Sequence, residues 1–184
     1  MHSLDNEARS KLGFAGTLEG KLPYLIAFAI FYGLVFINYI DIASSGSIDG
    51  YHLWLVLMYF LPFVGFSMLN FKNWKLTISL GLIASLMNDV FYGSVKYFAM
   101  PNKLAHYYGL WLIPQKAHLF DLNLGFAVLP VFSWTMALSI YIRIAIVVGL
   151  LWNWKLAVAK SRIVRKADMS ELGLDGLKFE PLTE

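Results

Sequence analysis

Four stretches of this chain are long and apolar enough to cross a bilayer, and that feature restricts the fold more than any other. A helix rising 1.5 Å per residue needs about 20 largely apolar residues to span a hydrocarbon layer about 30 Å thick. Residues 24–42, 53–71, 76–98 and a run from 126 or 131 through 152 meet that requirement, the last extending at most to 159. The composition agrees, since 15% of the residues are charged and 58% hydrophobic, against about 25% charged in an ordinary soluble domain. The predicted fold class is all-α: a polytopic integral membrane protein, a four-transmembrane-helix bundle with spans at about 24–42, 53–71, 76–98 and 126–152. Pro23 stands at the entrance of the first span and Pro130 is placed as a first-turn residue of the fourth. Pro62, near the middle of the second, frees a backbone carbonyl and is expected to kink that helix.

The connections set an expected orientation. "DIASSGSIDGYH" between the first two spans holds no Lys or Arg, whereas "FKNWK" between the second and third is short and basic. Positive charge marks the cytoplasmic side. Arg9, Lys11 and Lys21 before the first span and Lys155, Lys160, Arg162, Arg165 and Lys166 after the last place both termini there. The domain plan is a cytoplasmic N-terminal segment (1–23), a transmembrane domain (24–159) and a cytoplasmic C-terminal tail (160–184), whose apolar Leu172, Leu174, Leu177 and Phe179 offer a docking surface. Residues 1–22 carry Asp5, Glu7 and Glu19 and no short apolar core, so they do not read as a cleavable signal peptide. The connection between the third and fourth spans, "LAHYYGLWLIPQKAHLFDLNLGF", is rich in aromatic residues. It is expected to lie along the outer interface as a helix broken near Pro114. Tyr51, Trp54, Trp74, Trp152 and Trp154 read as interface anchors, and the basic "KSRIVRK" as a headgroup contact.

Against this apolar background the charges inside the spans stand out. Asp89 lies 14 residues from Lys75, and Arg143 lies 12 residues from Lys155, so the two sit about 21 and 18 Å from the same end on consecutive antiparallel helices. A charge at a helix centre costs about 2.5–3.5 kcal/mol on insertion scales, and pairing is the usual remedy. An Asp89–Arg143 ion pair is therefore expected, with Asn88 or Tyr141 adding hydrogen bonds. Gly81 and Ser85 share the face of Asp89, and Thr135 and Ser139 that of Arg143, so these small residues are expected to let the two helices pack closely. Such a pair can serve only to fix helix register, or it can carry a proton or a polar ligand. Lys96, seven residues beyond Asp89, competes as its partner but can reach the outer headgroups.

A second polar group gathers toward the outer side: Asn38, Asp41, Asp49 and His52, with His106, His118 and Asp121 in the long connection. His106, His118 and Asp121 have metal-ligand chemistry, but their spacing matches no metal motif, so no metal is expected. Asp41 is placed at the edge of its span, facing water. Gly13 to Gly16 is too short for a phosphate loop, no nucleophile elbow occurs, and no nucleic-acid motif appears. With no cysteine in the chain, disulfides, thiolate metal sites and a Cys nucleophile are excluded. No cofactor is expected. Two functions remain. The first is a small non-catalytic membrane subunit that docks onto and stabilises a larger membrane complex; its partners are the lipid bilayer and other membrane chains or itself. The alternative is a small transporter or membrane enzyme that works from the Asp89/Arg143 site as a homo-oligomer.

Overall fold

The computed structural model describes residues 18–44, 51–111, 117–123 and 126–171. Four helices within it have the length and hydropathy to cross a membrane: α1 (Leu22–Ser44), α2 (Tyr51–Leu69), α3 (Trp74–Lys96, entered through a 3-10 turn at Phe71–Asn73) and α5 (Ser133–Glu171). Between α3 and α5 lie a short helix, α4 (Pro101–Trp111), and a two-stranded hairpin of β1 (His118–Asn123) and β2 (Val128–Phe132). The anchoring residues Arg9 and Lys11, the Gly13 segment, Asp49, Pro114 and the apolar residues of the tail from Leu172 onward lie outside the described residues.

The hairpin departs from the purely helical expectation, and with it Pro130 leaves the fourth span, which begins at Ser133. Pro130 pairs with Asp121 in the antiparallel ribbon. A ribbon of two strands has an unpaired side on each, so a residue without an N–H is tolerated there. Ser133 N–H donates to Ala117 O at 2.9 Å and ties the foot of the ribbon to the start of α5. At the other end α5 continues past Lys160 to Glu171. Its sequence holds neither Gly nor Pro between Leu151 and Glu171, so the boundary of the tail is a change of composition and not of secondary structure.

The helix α3 occupies the centre. Of its most apolar window 44% is buried, against 17–28% for the other three spans, and it packs against α1, α2, α4 and α5. Leu76, Leu80, Ile83 and Ala84 meet Ala29 of α1, Phe63 of α2 and Ile140, Val147 and Trp154 of α5 in the main core. Trp154 is 1% exposed and donates its indole N–H to Asn73 Oδ1 at 3.3 Å, so it is a core residue and not an interface anchor. Asn73 in turn reaches Phe66 O, and one amide thus joins α2, α3 and α5 at this end. The outward faces carry Phe31, Trp54, Leu57, Val148 and Trp152, all suited to lipid.

Two spans depart from the regular helix, each for a definable reason. In α2 the Pro62 ring cannot donate to Met58 O four residues back. The segment Leu61–Phe63 tightens into a 3-10 turn, Tyr32 OH takes Met58 O at 3.0 Å, and Thr77 Oγ1 takes Phe63 O at 3.1 Å. In α1, residues Tyr32–Ile37 form a π segment. Ala29, Gly33, Ile37 and Asp41 are all buried at four-residue spacing, which in a regular α-helix would drift by about 40° at each step. The wider π turn takes up that drift and keeps the row against α3.

At Gly33 the two helices touch through backbone. A Cβ added there would fall 2.7 Å from Ala84 Cα and closer still to Ala84 O. Gly33→Ala is therefore expected to lower stability by about 1–3 kcal/mol through overpacking. Gly149→Ala, where nothing lies within 4 Å of the added atom, should change it little or improve it. Thermal unfolding in detergent of the two variants checks this, and equal melting temperatures would show that the contact does not constrain the bundle.

Candidate functional site: a polar cavity at the hairpin end

The geometry brings Asp89 and Arg143 together: Arg143 Nη2 lies 2.5 Å from Asp89 Oδ2, with about 17% and 16% of the two side chains exposed. Arg143 also donates through Nε to Ser139 O at 3.2 Å, through Nη2 to Ser139 Oγ at 3.1 Å and through Nη1 to Ser85 Oγ. One donor from Nε, one from Nη1 and two from Nη2 are thus engaged, four of the five N–H groups of a guanidinium. The cation is almost fully satisfied by the protein. Ser85 and Ser139 serve it as hydrogen-bond acceptors in addition to being small.

Other residues expected beside the pair lie elsewhere. Gly81 faces the Phe60 ring of α2, and an added Cβ would collide with that ring, so its closeness serves α2 and not α5. Thr135 closes the start of α5 on itself, donating to Phe132 O at 2.7 Å and accepting from Phe132 N–H at 3.1 Å. Tyr141 is 68% exposed on the outer side of α5 and contributes nothing to the pair. Asn88, one residue before Asp89 and therefore turned about 100° from it, looks toward α1 and α2. Its Nδ2 donates to Asp41 Oδ2 at 2.9 Å and to Tyr59 OH at 3.1 Å.

Asp41 is the main correction to the sequence reading. It is 7% exposed and turns into the bundle instead of outward from the edge of its span. Its Oδ1 accepts from Tyr51 OH at 3.0 Å and its Oδ2 from Asn88. The π segment upstream turns it inward, and sequence periodicity does not reveal a π turn. The hydrogen-bonding chain Tyr51, Asp41, Asn88, Tyr59 thus links α1, α2 and α3 beside the ion pair.

These groups border a cavity of about 420 Å³ that draws side chains from all four spans, from α4 and from the hairpin. Asp89 and Asn88 lie at its deep end, and Asp41, Tyr51, Tyr59 and Tyr92 form its polar and aromatic walls. Its upper side is made by the connection expected to lie flat on the membrane. Instead α4 folds back on α3: the Tyr107 ring covers Gly93, Tyr107 OH donates to Asp89 O at 3.4 Å, and Tyr108 OH donates to Val90 O at 3.0 Å. Burial raises the pKa of Tyr107 far above the usual phenol value, so its ring stays neutral. Phe120 of the hairpin stacks on His52 of α2 with centroids 5.6 Å apart and planes 4° from parallel. Lys96, expected to reach the headgroups, also borders the cavity, donating to Tyr92 OH at 2.9 Å with its ammonium 5.1 Å from that ring and 5.7 Å from Tyr97.

Of the metal-type residues, His118 and Asp121 meet at 2.9 Å on the hairpin, both at least half exposed. The register irregularity between His118 and Phe120 turns residues three apart to one side of the strand. His106 is exposed on α4. No group of three or more metal-ligating side chains forms among the described residues.

The ion pair is amenable to a double-mutant cycle. Asp89→Asn or Arg143→Gln alone leaves one buried charge without its partner and should destabilise the fold by about 3–5 kcal/mol. The combined Asp89→Asn/Arg143→Gln chain, which leaves neither charge unpaired, should lose clearly less than the sum of the two single losses, as read by thermal unfolding in detergent. Additive losses would mean that the two side chains are not energetically coupled. Comparison with protein-family models, with curated proteins and with solved structures finds no match for this chain.

Proposed function

We propose that this chain is a multi-pass membrane protein that admits a small polar solute from the outer side into its cavity, for binding or as one step of transport. The observation that supports this reading is the convergence of all four spans, α4 and the first hairpin strand on one polar cavity reaching Asp89. Its volume falls within the range of small-molecule sites, about 300–1,000 Å³. A non-catalytic subunit, the first of the two functions expected from the sequence, would need no convergence of polar groups inside the bundle. Asp41, Asn88, Tyr51 and Tyr59, scattered along the chain, supply that convergence. The outward apolar faces are accounted for by lipid and call for no further protein partner.

The orientation belongs to the same proposal. Lys72, Lys75, Lys155 and Lys160 lie toward the Asn73 end of the bundle, with further basic residues after them in the sequence. The positive-inside rule puts that end in the cytoplasm, and the hairpin end with the cavity mouth faces outward. The Asp89–Arg143 pair, about 22 Å along α3 from Trp74, is then the floor of a pocket open on one side.

Because the chain has no cysteine, single thiols can report water access without background. Leu55→Cys and Met136→Cys, both on the cavity wall, should react with membrane-impermeant charged thiosulfonates added from the outer side of sealed vesicles. Leu57→Cys, 56% exposed on the apolar surface, should not, since lipid suppresses the thiolate. Cavity thiols reacting no faster than Leu57→Cys would end this reading, and reaction only from the other side would reverse the topology.

A further inference from the structure

The charges around the cavity are not balanced in the same way. Arg143 has four of its N–H groups on protein acceptors, one of them the Asp89 carboxylate, so it has little left for an anionic ligand. Asp41 is the reverse. It is buried, both its hydrogen-bond donors are neutral, and no cation touches it among the described residues. A carboxylate has about four lone-pair sites; Tyr51 and Asn88 engage one on each oxygen, leaving acceptor capacity directed at whatever enters. Lys96 acts on this carboxylate only across the cavity; a buried carboxylate with no cation in contact is costly, and a cationic occupant seated on it lowers that cost.

The walls indicate which kind of cation. Hard metal ions take six to eight oxygen ligands, or about six for the smaller ones, whereas this cavity presents the rings of Tyr51, Tyr59, Tyr92, Tyr107 and Phe120 around Asp41, its other carboxylates Asp89 and Asp121 being held by Arg143 and His118. Aromatic faces with one carboxylate suit an organic ammonium, which is held by ring quadrupoles and by charge-assisted hydrogen bonds. The protein already shows the match once. The Lys96 ammonium at the mouth rests over the Tyr92 and Tyr97 rings and donates to Tyr92 OH.

We propose that the solute is a small protonated amine whose ammonium seats on Asp41 among the tyrosine rings, above a floor closed by the Asp89–Arg143 pair. This rests on the cavity reading above and names the substrate class of that site. Asn88 is a positioning residue, since its amide holds the Asp41 carboxylate in place.

The test uses the reactive cavity thiol of Met136→Cys in the otherwise unaltered full-length chain. Methylammonium, butylammonium, phenethylammonium and tetramethylammonium are each added at rising millimolar concentration before the thiosulfonate. Phenylacetate, sodium and potassium serve as comparators. At least one of the organic cations is expected to slow labelling by roughly tenfold at ten times its dissociation constant, while phenylacetate and the metal ions do not. Asp41→Asn, which keeps one of the two acceptor oxygens and removes the charge, should still be labelled yet lose that protection. Labelling that no amine slows, or that phenylacetate, sodium or potassium slows equally, would overturn the assignment of an amine while leaving the cavity in place. So would protection that persists undiminished in Asp41→Asn. A thiol that never reacts would instead defeat the cavity reading itself. Should Asp41→Asn fail to fold, the comparison of amine with phenylacetate on Met136→Cys decides alone.

Discussion

The absence of water in the hydrocarbon layer is the constraint from which the rest of this structure follows. Every polar group that leaves the regular helix pattern must find a partner within the protein. The carbonyl released by Pro62 goes to Tyr32, the carbonyl of Phe63 goes to Thr77, and the Gly33 carbonyl at the π segment receives the Asn38 amide at 3.2 Å. Each of these bonds is also a link between or within spans. The irregular positions are thus where the bundle is stitched together, and the polar residues in the spans divide into those that repair backbone and those that surround the cavity.

The central helix shows how that division is arranged. Toward the Asn73 end its polar residues are structural: Thr77 and Ser79 bond backbone carbonyls, and Asn73 binds Trp154. Beyond Ala84 the character changes. Ser85 and Asp89 turn to α5, Asn88 turns to α1 and α2, and Tyr92 and Lys96 line the opening. A single helix therefore forms the closed half of the bundle with one end and the cavity wall with the other, and the ion pair lies where the two meet. A buried pair contributes little net stability compared with apolar packing, but placed here it closes one end of the cavity.

Much of this was legible in the sequence and some of it could not be. The four spans follow from hydropathy and length alone. The Asp89–Arg143 contact follows from depth, because two charges at one level on antiparallel helices have few other partners. The hairpin escaped notice because Val128 to Phe132 is a short apolar run continuous with the helix after it, and periodicity cannot separate such a run from a helix start. Spacing of i, i+4 identifies a face but not what lies across it, and Gly81 meets Phe60 of α2 instead of α5. Tyr141 is near Arg143 in sequence, but two residues along a helix is about 200° of rotation and points it away.

The burial of Asp41 was the least accessible feature, and it depends on the close approach at Gly33. Without a π turn, the row from Ala29 would carry Asp41 roughly 120° away from α3 and toward lipid. The π turn is held by contacts at both of its ends: Gly33 lies against Ala84, where no side chain fits, and Asn38 reaches Met87 O across the interface. The Asp41 carboxylate is therefore aimed into the cavity by a packing contact about two turns below it. A change at that contact should act on the cavity by rotating Asp41 out of it. Stability and charge at the site are set by the same few residues of α1.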